Sequence, residues 1–77
     1  MGQNYLKGFI EVETASGLTR SLRASEIAEV SELPSHTKSN TAIVMKYGTT
    51  VYCVESYHTV ARKIEQAIRS ERTDDLV

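Results

Sequence analysis

Residues 41–54 read Thr41-Ala42-Ile43-Val44-Met45-Lys46-Tyr47-Gly48-Thr49-Thr50-Val51-Tyr52-Cys53-Val54. Two runs rich in β-branched and aromatic residues flank a glycine, which predicts a hairpin. Its strands are Thr41–Lys46 and Thr49–Val54, with the turn about Tyr47-Gly48. Whether the turn is centred there or on Gly48-Thr49, one face carries Ile43, Met45, Tyr52 and Val54, and the other Ala42, Val44, Val51 and Cys53. Both faces are apolar, the mark of strands covered on two sides. The chain must then place something on each.

Upstream, Phe9 to Thr14 alternates as a half-buried strand does, with Ile10 and Val12 on one side and Glu11 and Glu13 on the other. Ala15-Ser16-Gly17 has the length and the closing glycine of a three-residue hairpin loop whose last position is left-handed. Pairing Thr14 with Leu18 sets Val12 opposite Arg20 and Ile10 opposite Leu22. Glu11, Glu13, Thr19, Ser21 and Arg23 then share a polar face, and Arg20 is the one misfit. Further on, Ala24, Ile27, Ala28 and Ser31 have helical spacing, whereas Ile27, Val30 and Leu33 suit a strand. We assign a tight turn at Ala24–Glu26 and a strand from Ile27 to about Glu32. Pro34–Asn40 is a loop by composition.

Downstream, Ser56 is placed to cap a helix. Tyr57, Val60, Ala61, Ile64 and Ile68 recur at helical spacing, with Arg62, Lys63, Glu65, Gln66 and Arg69 on the other side. The helix is expected to end near Ser70. Residues 71–77 then form a disordered acidic tail, and residues 1–8 a flexible arm bearing Tyr5 and Leu6. The fold class implied is α+β: an antiparallel meander of about four strands with one C-terminal amphipathic helix packed on it, a single domain over residues 9–70.

Composition narrows the function classes. Seventy-seven residues bury only about 60–65% of the surface exposed when unfolded, so the core is marginal. Chains of this size are stapled by disulfides or a metal, or share a core with another subunit. Cys53 is the single cysteine, which excludes an internal disulfide and fits a reducing compartment. Nine basic residues against ten acidic ones lack the electrostatic footprint of a dedicated nucleic-acid binder. The first seven residues have no apolar signal segment, and no apolar run reaches the roughly 18 residues of a membrane span. A cytoplasmic location with no membrane partner is the expectation.

The catalytic chemistries lack their settings. Cys53 sits mid-strand, without the helix N-terminus or cationic neighbour that activates a thiol. With His58 it would make a nucleophile–base pair, but a strand-to-helix turn brings the two close at no cost. His36 lies in a polar loop, and the two histidines have no ligand spacing for zinc. Glu11, Glu13, Glu26, Glu29, Glu32 and Glu55 read as solvated, with Glu55 favouring the helix N-terminus. The four glycines are dispersed, so no phosphate-cradling loop exists. We expect no enzyme, cofactor or metal.

One helix covers one sheet face, and the second hairpin is apolar on both. The small-residue face of Ala42, Val44, Val51 and Cys53 is therefore expected to meet another chain, most simply a second copy. The alternatives make Ile27–Leu33 a helix that covers this face itself, or fold the Tyr5–Leu6 arm over it. A rival function gathers Arg20, Arg23, Lys46, Arg62, Lys63 and Arg69 into a basic patch that positions a phosphate backbone; the ordinary meaning of such charges is a solvated surface.

The order of elements carries a likeness. The hairpin through Gly17, the corner Arg23-Ala24-Ser25-Glu26-Ile27, the strand Thr41-Ala42-Ile43-Val44-Met45, Gly48, and Val54-Glu55-Ser56 leading to Val60 and Ile64 resemble the small FlbD-type proteins of flagellar operons. The likeness spans roughly Phe9 to Ile68 and is architectural. The N-terminal arm and the long loop at Pro34–Asn40 depart from that family's tighter pattern. What the resemblance implies is a non-catalytic role in motility, with no site residues to carry over. The function expected is a non-catalytic protein-interaction or regulatory module, its expected partner a second copy; the rival is a small nucleic-acid-binding regulator.

Overall fold

A computed structural model of the chain describes residues 7–35 and 37–75, the last four by backbone alone. Most of the expected N-terminal arm, together with His36, lies outside the described residues. The order is β1 (Phe9–Glu13), β2 (Thr19–Arg23), a 3-10 turn (Ala24–Glu26), β3 (Ile27–Glu32), β4 (Thr41–Met45), β5 (Thr50–Cys53) and α1 (Tyr57–Asp75). The fold is α+β, with five antiparallel strands in two sheets and one C-terminal helix. The corner at Ala24–Glu26 and the strand after it stand where the sequence puts them.

Two hairpin loops share one construction. Thr14 N–H donates to the Leu18 carbonyl at 2.8 Å and Gly17 N–H to the Thr14 carbonyl at 2.9 Å. Met45 N–H donates to the Thr49 carbonyl at 2.8 Å and Gly48 N–H to the Met45 carbonyl at 2.9 Å. Each is a three-residue loop whose third residue is left-handed, with φ +91° at Gly17 and +103° at Gly48, a conformation glycine adopts without steric cost.

This construction confirms the first register and corrects the second. Ile10 pairs with Leu22 and Val12 with Arg20, as the alternation predicts. Arg20, the misfit, is exposed near the loop. In the second hairpin the loop is Lys46-Tyr47-Gly48, one residue longer than a turn on Tyr47-Gly48 alone. Thr41 therefore pairs with Cys53, Ala42 with Tyr52, Ile43 with Val51 and Val44 with Thr50. A slip of one residue turns a whole strand over. Val51 and Cys53 point into the core beside Ile43 and Met45, while Tyr52 points out beside Ala42 and Val44. The expected face of Ala42, Val44, Val51 and Cys53 is thus two half-faces on opposite sides of the sheet.

The two sheets meet at a narrow seam. Thr14 and Cys53 form an isolated antiparallel bridge, and Val54 N–H donates to the Glu13 carbonyl at 3.0 Å. This sets β1 beside β5, so the strands lie side by side as β2-β1-β5-β4-β3. The helix packs against β1, β3 and the 3-10 turn. Val60 and Ala67 join Ile10, Val12, Leu22, Ile43, Met45, Val51 and Cys53 in one core, with Ile27, Val30 and Ile64 packed at its margin. β3 forms one edge, and it carries exposed Glu29 and Glu32 and a bulge between Ile27 and Glu29. Charge and bulges are the devices that keep an open edge from recruiting further strands.

Ser56 caps the helix as predicted, its Oγ accepting from Thr59 N–H at 3.2 Å. The helix runs five residues past the expected Ser70 end. No glycine or proline follows to stop it.

Candidate interaction surface

The join between β5 and the helix holds the second hairpin in place. Glu55, expected to be a solvated carboxylate, is a staple. One of its oxygens binds Lys63 Nζ at 2.6 Å and the other accepts Glu13 N–H at 3.0 Å. Lys63 Nζ also donates to the Glu11 carbonyl at 2.7 Å. Thr41, fully buried, donates its Oγ1 to the Glu55 carbonyl at 2.7 Å, and the Asn40 side-chain amide donates to the Val54 carbonyl. The hydroxyl and amide are spent inside the fold. A polar residue at the start of β4 is tolerated in the core because its one donor is satisfied.

With the hairpin fixed, its two faces differ sharply. The inner face, under the helix, carries Thr41, Ile43, Met45, Val51 and Cys53, all 2% exposed or less. The outer face carries Ala42 between Ser31 and Tyr52, and Val44 between Glu29 and Thr50. Tyr52 is 54% exposed. Ala42 is buried on this face, at 7% exposed, and Val44 half-buried, so Tyr52 is its exposed apolar group. Glu29 bonds sideways to Ser31 Oγ at 3.0 Å. On the same side of the neighbouring strand stand the exposed carboxylates of Glu11 and Glu13.

The proposed partner residues therefore separate: Ala42 and Val44 line the outer face, Val51 and Cys53 do not. Tyr52 and Thr50 take their places. The signal for them was present in the sequence, since Lys46-Tyr47-Gly48 has the same two-residues-then-glycine form as Ala15-Ser16-Gly17. Burial pushes the Cys53 thiol above its ordinary value of 9.0, although nearby hydrogen bonds and Lys63 act the other way. A fully buried thiol that resists ionisation is a packing group rather than a nucleophile.

The six cations of the rival patch scatter over the molecule. Arg20 and Arg23 lie on β2, with the Arg23 guanidinium 4.7 Å from the centre of the Phe9 ring. Lys46 is in the second hairpin loop. Lys63 is held by Glu55, and Arg69 pairs with Glu65 at 2.8 Å one helical turn away. Arg62 and Lys63 share a groove of about 270 Å³ that they line with His58, Thr59 and Gln66, while Arg20 lines a separate hollow with Leu18 and Tyr52. His58 packs edge-on against its neighbour Tyr57, with ring centres 5.6 Å apart.

Among the described residues no three His, Cys, Asp or Glu side chains cluster as a metal site. No helix among them is long and apolar enough to cross a membrane. The chain matches no protein-family model, no curated protein and no solved structure.

Proposed function

We propose that this chain is a non-catalytic protein-interaction or regulatory module that docks a partner on the outer face of β4 and β5. The observation that carries this reading is Tyr52, a large amphipathic ring left 54% exposed beside Ala42 and Val44 on the side away from the helix. Tyrosines of this kind anchor protein interfaces, where the ring is buried and the hydroxyl keeps a polar partner. The FlbD-type resemblance adds an expectation of the same kind. Self-association, the simplest occupancy of such a face, now has a narrower basis, since Val51 and Cys53 do not contribute.

The nucleic-acid reading draws support from Arg62 and His58 in one groove. Against it, Arg23, Lys63 and Arg69 are engaged within the chain.

Photo-crosslinking in cells separates these readings. A benzophenone amino acid placed at position 52 is expected to give a discrete protein adduct. The same group at Tyr47, which is 67% exposed at a loop tip, is expected to give none. Equal adducts from both positions, or none from either, overturn the reading. Salt-sensitive retention on immobilised DNA or RNA that depends on Arg62 would establish the rival instead.

A further inference from the structure

We infer that the edge of β5 at Thr50–Tyr52 takes an extended acidic peptide, which adds a short strand there and sets a carboxylate on Arg20. This names a partner for Tyr52 and rests on the docking reading. Three observations lead there. The first is that the edge is open. The Thr49 and Cys53 carbonyls face β4, where they accept from Met45 and Asn40 N–H. Bonding direction alternates along an antiparallel strand. The backbone groups of Thr50 and Tyr52 therefore face away from β4, as does the Val54 N–H that meets the Glu13 carbonyl. Past that seam, the Thr14 N–H and C=O are spent inside their own loop, on Leu18 and Gly17. Among the described residues no acceptor meets the N–H of Thr50 or Tyr52.

The second observation is a hollow of about 510 Å³ along this edge. Thr50, Val51 and Tyr52 line one side, and Thr14, Leu18 and Arg20 of the first hairpin line the other. Val51 and Tyr52 belong to opposite faces of β5, so a hollow that touches both lies at the strand's edge. Leu18, 67% exposed, and Tyr52 give it two apolar side chains that the core does not use. The third observation is its charge. Arg20 is the only charged side chain lining it and forms no ion pair among the described residues. Pairing with Val12 sets Arg20 on the face of its hairpin opposite Glu11 and Glu13.

These features decide the occupant. Strand addition at an open edge gives a peptide main-chain bonds, and the side chains around the edge select its sequence. A guanidinium takes a carboxylate through paired, charge-assisted hydrogen bonds. One cation between two apolar groups suits an acidic peptide with apolar residues better than a run of phosphates. In a second copy β5 is flanked by its own loop, so two such edges cannot close on each other. A single extended chain can enter.

The test uses the whole chain and a short fluorescein-labelled peptide alternating leucine and glutamate, with a counterpart carrying lysine for glutamate. Anisotropy titration is expected to show binding of the acidic peptide only, weakened by salt. Arg20→Gln is expected to weaken it about tenfold and Tyr52→Ser by a similar factor, the loss typical of an interface anchor. Arg62→Gln, on the helix, is expected to change nothing. Hydrogen exchange at the Thr50 and Tyr52 amides is expected to slow at saturation, since both would donate to the added strand. No binding of the acidic peptide, binding that Arg20→Gln leaves intact, equal binding of the lysine peptide, or unchanged exchange at both amides overturns the proposal. The failures are distinguishable. A dimer by light scattering that Tyr52→Ser dissociates, or charge-blind binding that it weakens, keeps the docking reading and removes the acidic peptide. A monomer that binds neither peptide and gives no adduct from position 52 removes both.

Discussion

Glu55 and Lys63 sit 2.6 Å apart across the start of the helix, and both also hold backbone groups of β1, at Glu13 and Glu11 respectively. Two side chains thus tie three elements: the end of β5, the helix and the first strand. The pair is only partly shielded, with Glu55 20% and Lys63 37% exposed, so its bare Coulomb attraction is modest. Its weight lies in the charge-assisted bonds to main chain.

Glu55→Ala removes the bonds to both Lys63 and Glu13 and is expected to cost about 1–2 kcal/mol. Lys63→Met leaves the Glu13 bond in place and is expected to cost less. In a domain of this size each kcal/mol lowers the melting temperature by about 4–8 °C. A thermal melt followed by circular dichroism orders the two variants, and equal losses would contradict the staple.

Register gives the second prediction. Val51 is 2% exposed and Tyr52 54%, so Val51→Asp buries an unpaired carboxylate and is expected to abolish folding. Tyr52→Asp is expected to leave stability within about 0.5 kcal/mol of the parent, as exposed substitutions do. Had the hairpin turned on Tyr47-Gly48 alone, the two outcomes would be exchanged. Heteronuclear spectra of the pair decide it.

Gly48 has φ +103° and open space where a side chain would stand. Gly48→Ala therefore pays only the backbone strain of a left-handed residue, about 1–2 kcal/mol. Gly48→Asn is expected to cost less, because asparagine visits that region more readily. Denaturant unfolding measures both, and an alanine variant as stable as the parent would rule out the three-residue loop.

The Cys53 thiol is pushed above 9.0 by burial, and the sign of the resulting pH effect follows. In alkali the unfolded chain loses its thiol proton first, so it binds fewer protons than the folded one and stability falls as pH rises. The contribution is intact below the ordinary thiol range and is lost above it. Cys53→Ala is expected to remove that part of the alkaline decline, read by comparing denaturation midpoints of the two proteins from neutral pH upward. In the folded parent, a thiol reagent is expected to react only as fast as the chain opens.

Much of the fold was legible from residues. The first hairpin was, because one face of Phe9–Arg23 is polar and only one register keeps it so. The second was not, because Ala42, Ile43, Val44, Val51, Tyr52 and Cys53 are all compatible with burial. A strand pair apolar on both sides carries no mark of which face is which, and only the loop length settles it. Thr41 illustrates the same limit, since its burial depends on a Glu55 carbonyl 14 positions away. The Glu55 staple was invisible for that reason too. A glutamate before a helix cap reads as electrostatic support for the helix until the first strand is seen passing beside it. The outer face was half legible: Ala42 and Val44 belong to it, and Tyr52, its most exposed member, falls on the face of Ile43 and Met45 when the turn is read on Tyr47-Gly48 alone.

The bond from Lys63 to the Glu11 carbonyl joins positions 52 apart, and it has a consequence for the order in which the chain is made. A ribosome releases β1 and β2 long before it releases the residues that tie them to the rest, Cys53 to Glu55 at the seam and Lys63 on the helix. Until these emerge, the first hairpin has only its own loop and pairing to hold it, and two-stranded hairpins by themselves are barely stable in water. Completion of the domain during synthesis therefore waits on β5 and the helix, and a nascent chain halted before residue 53 leaves the tunnel would present its first hairpin unsecured to chaperone and protease alike.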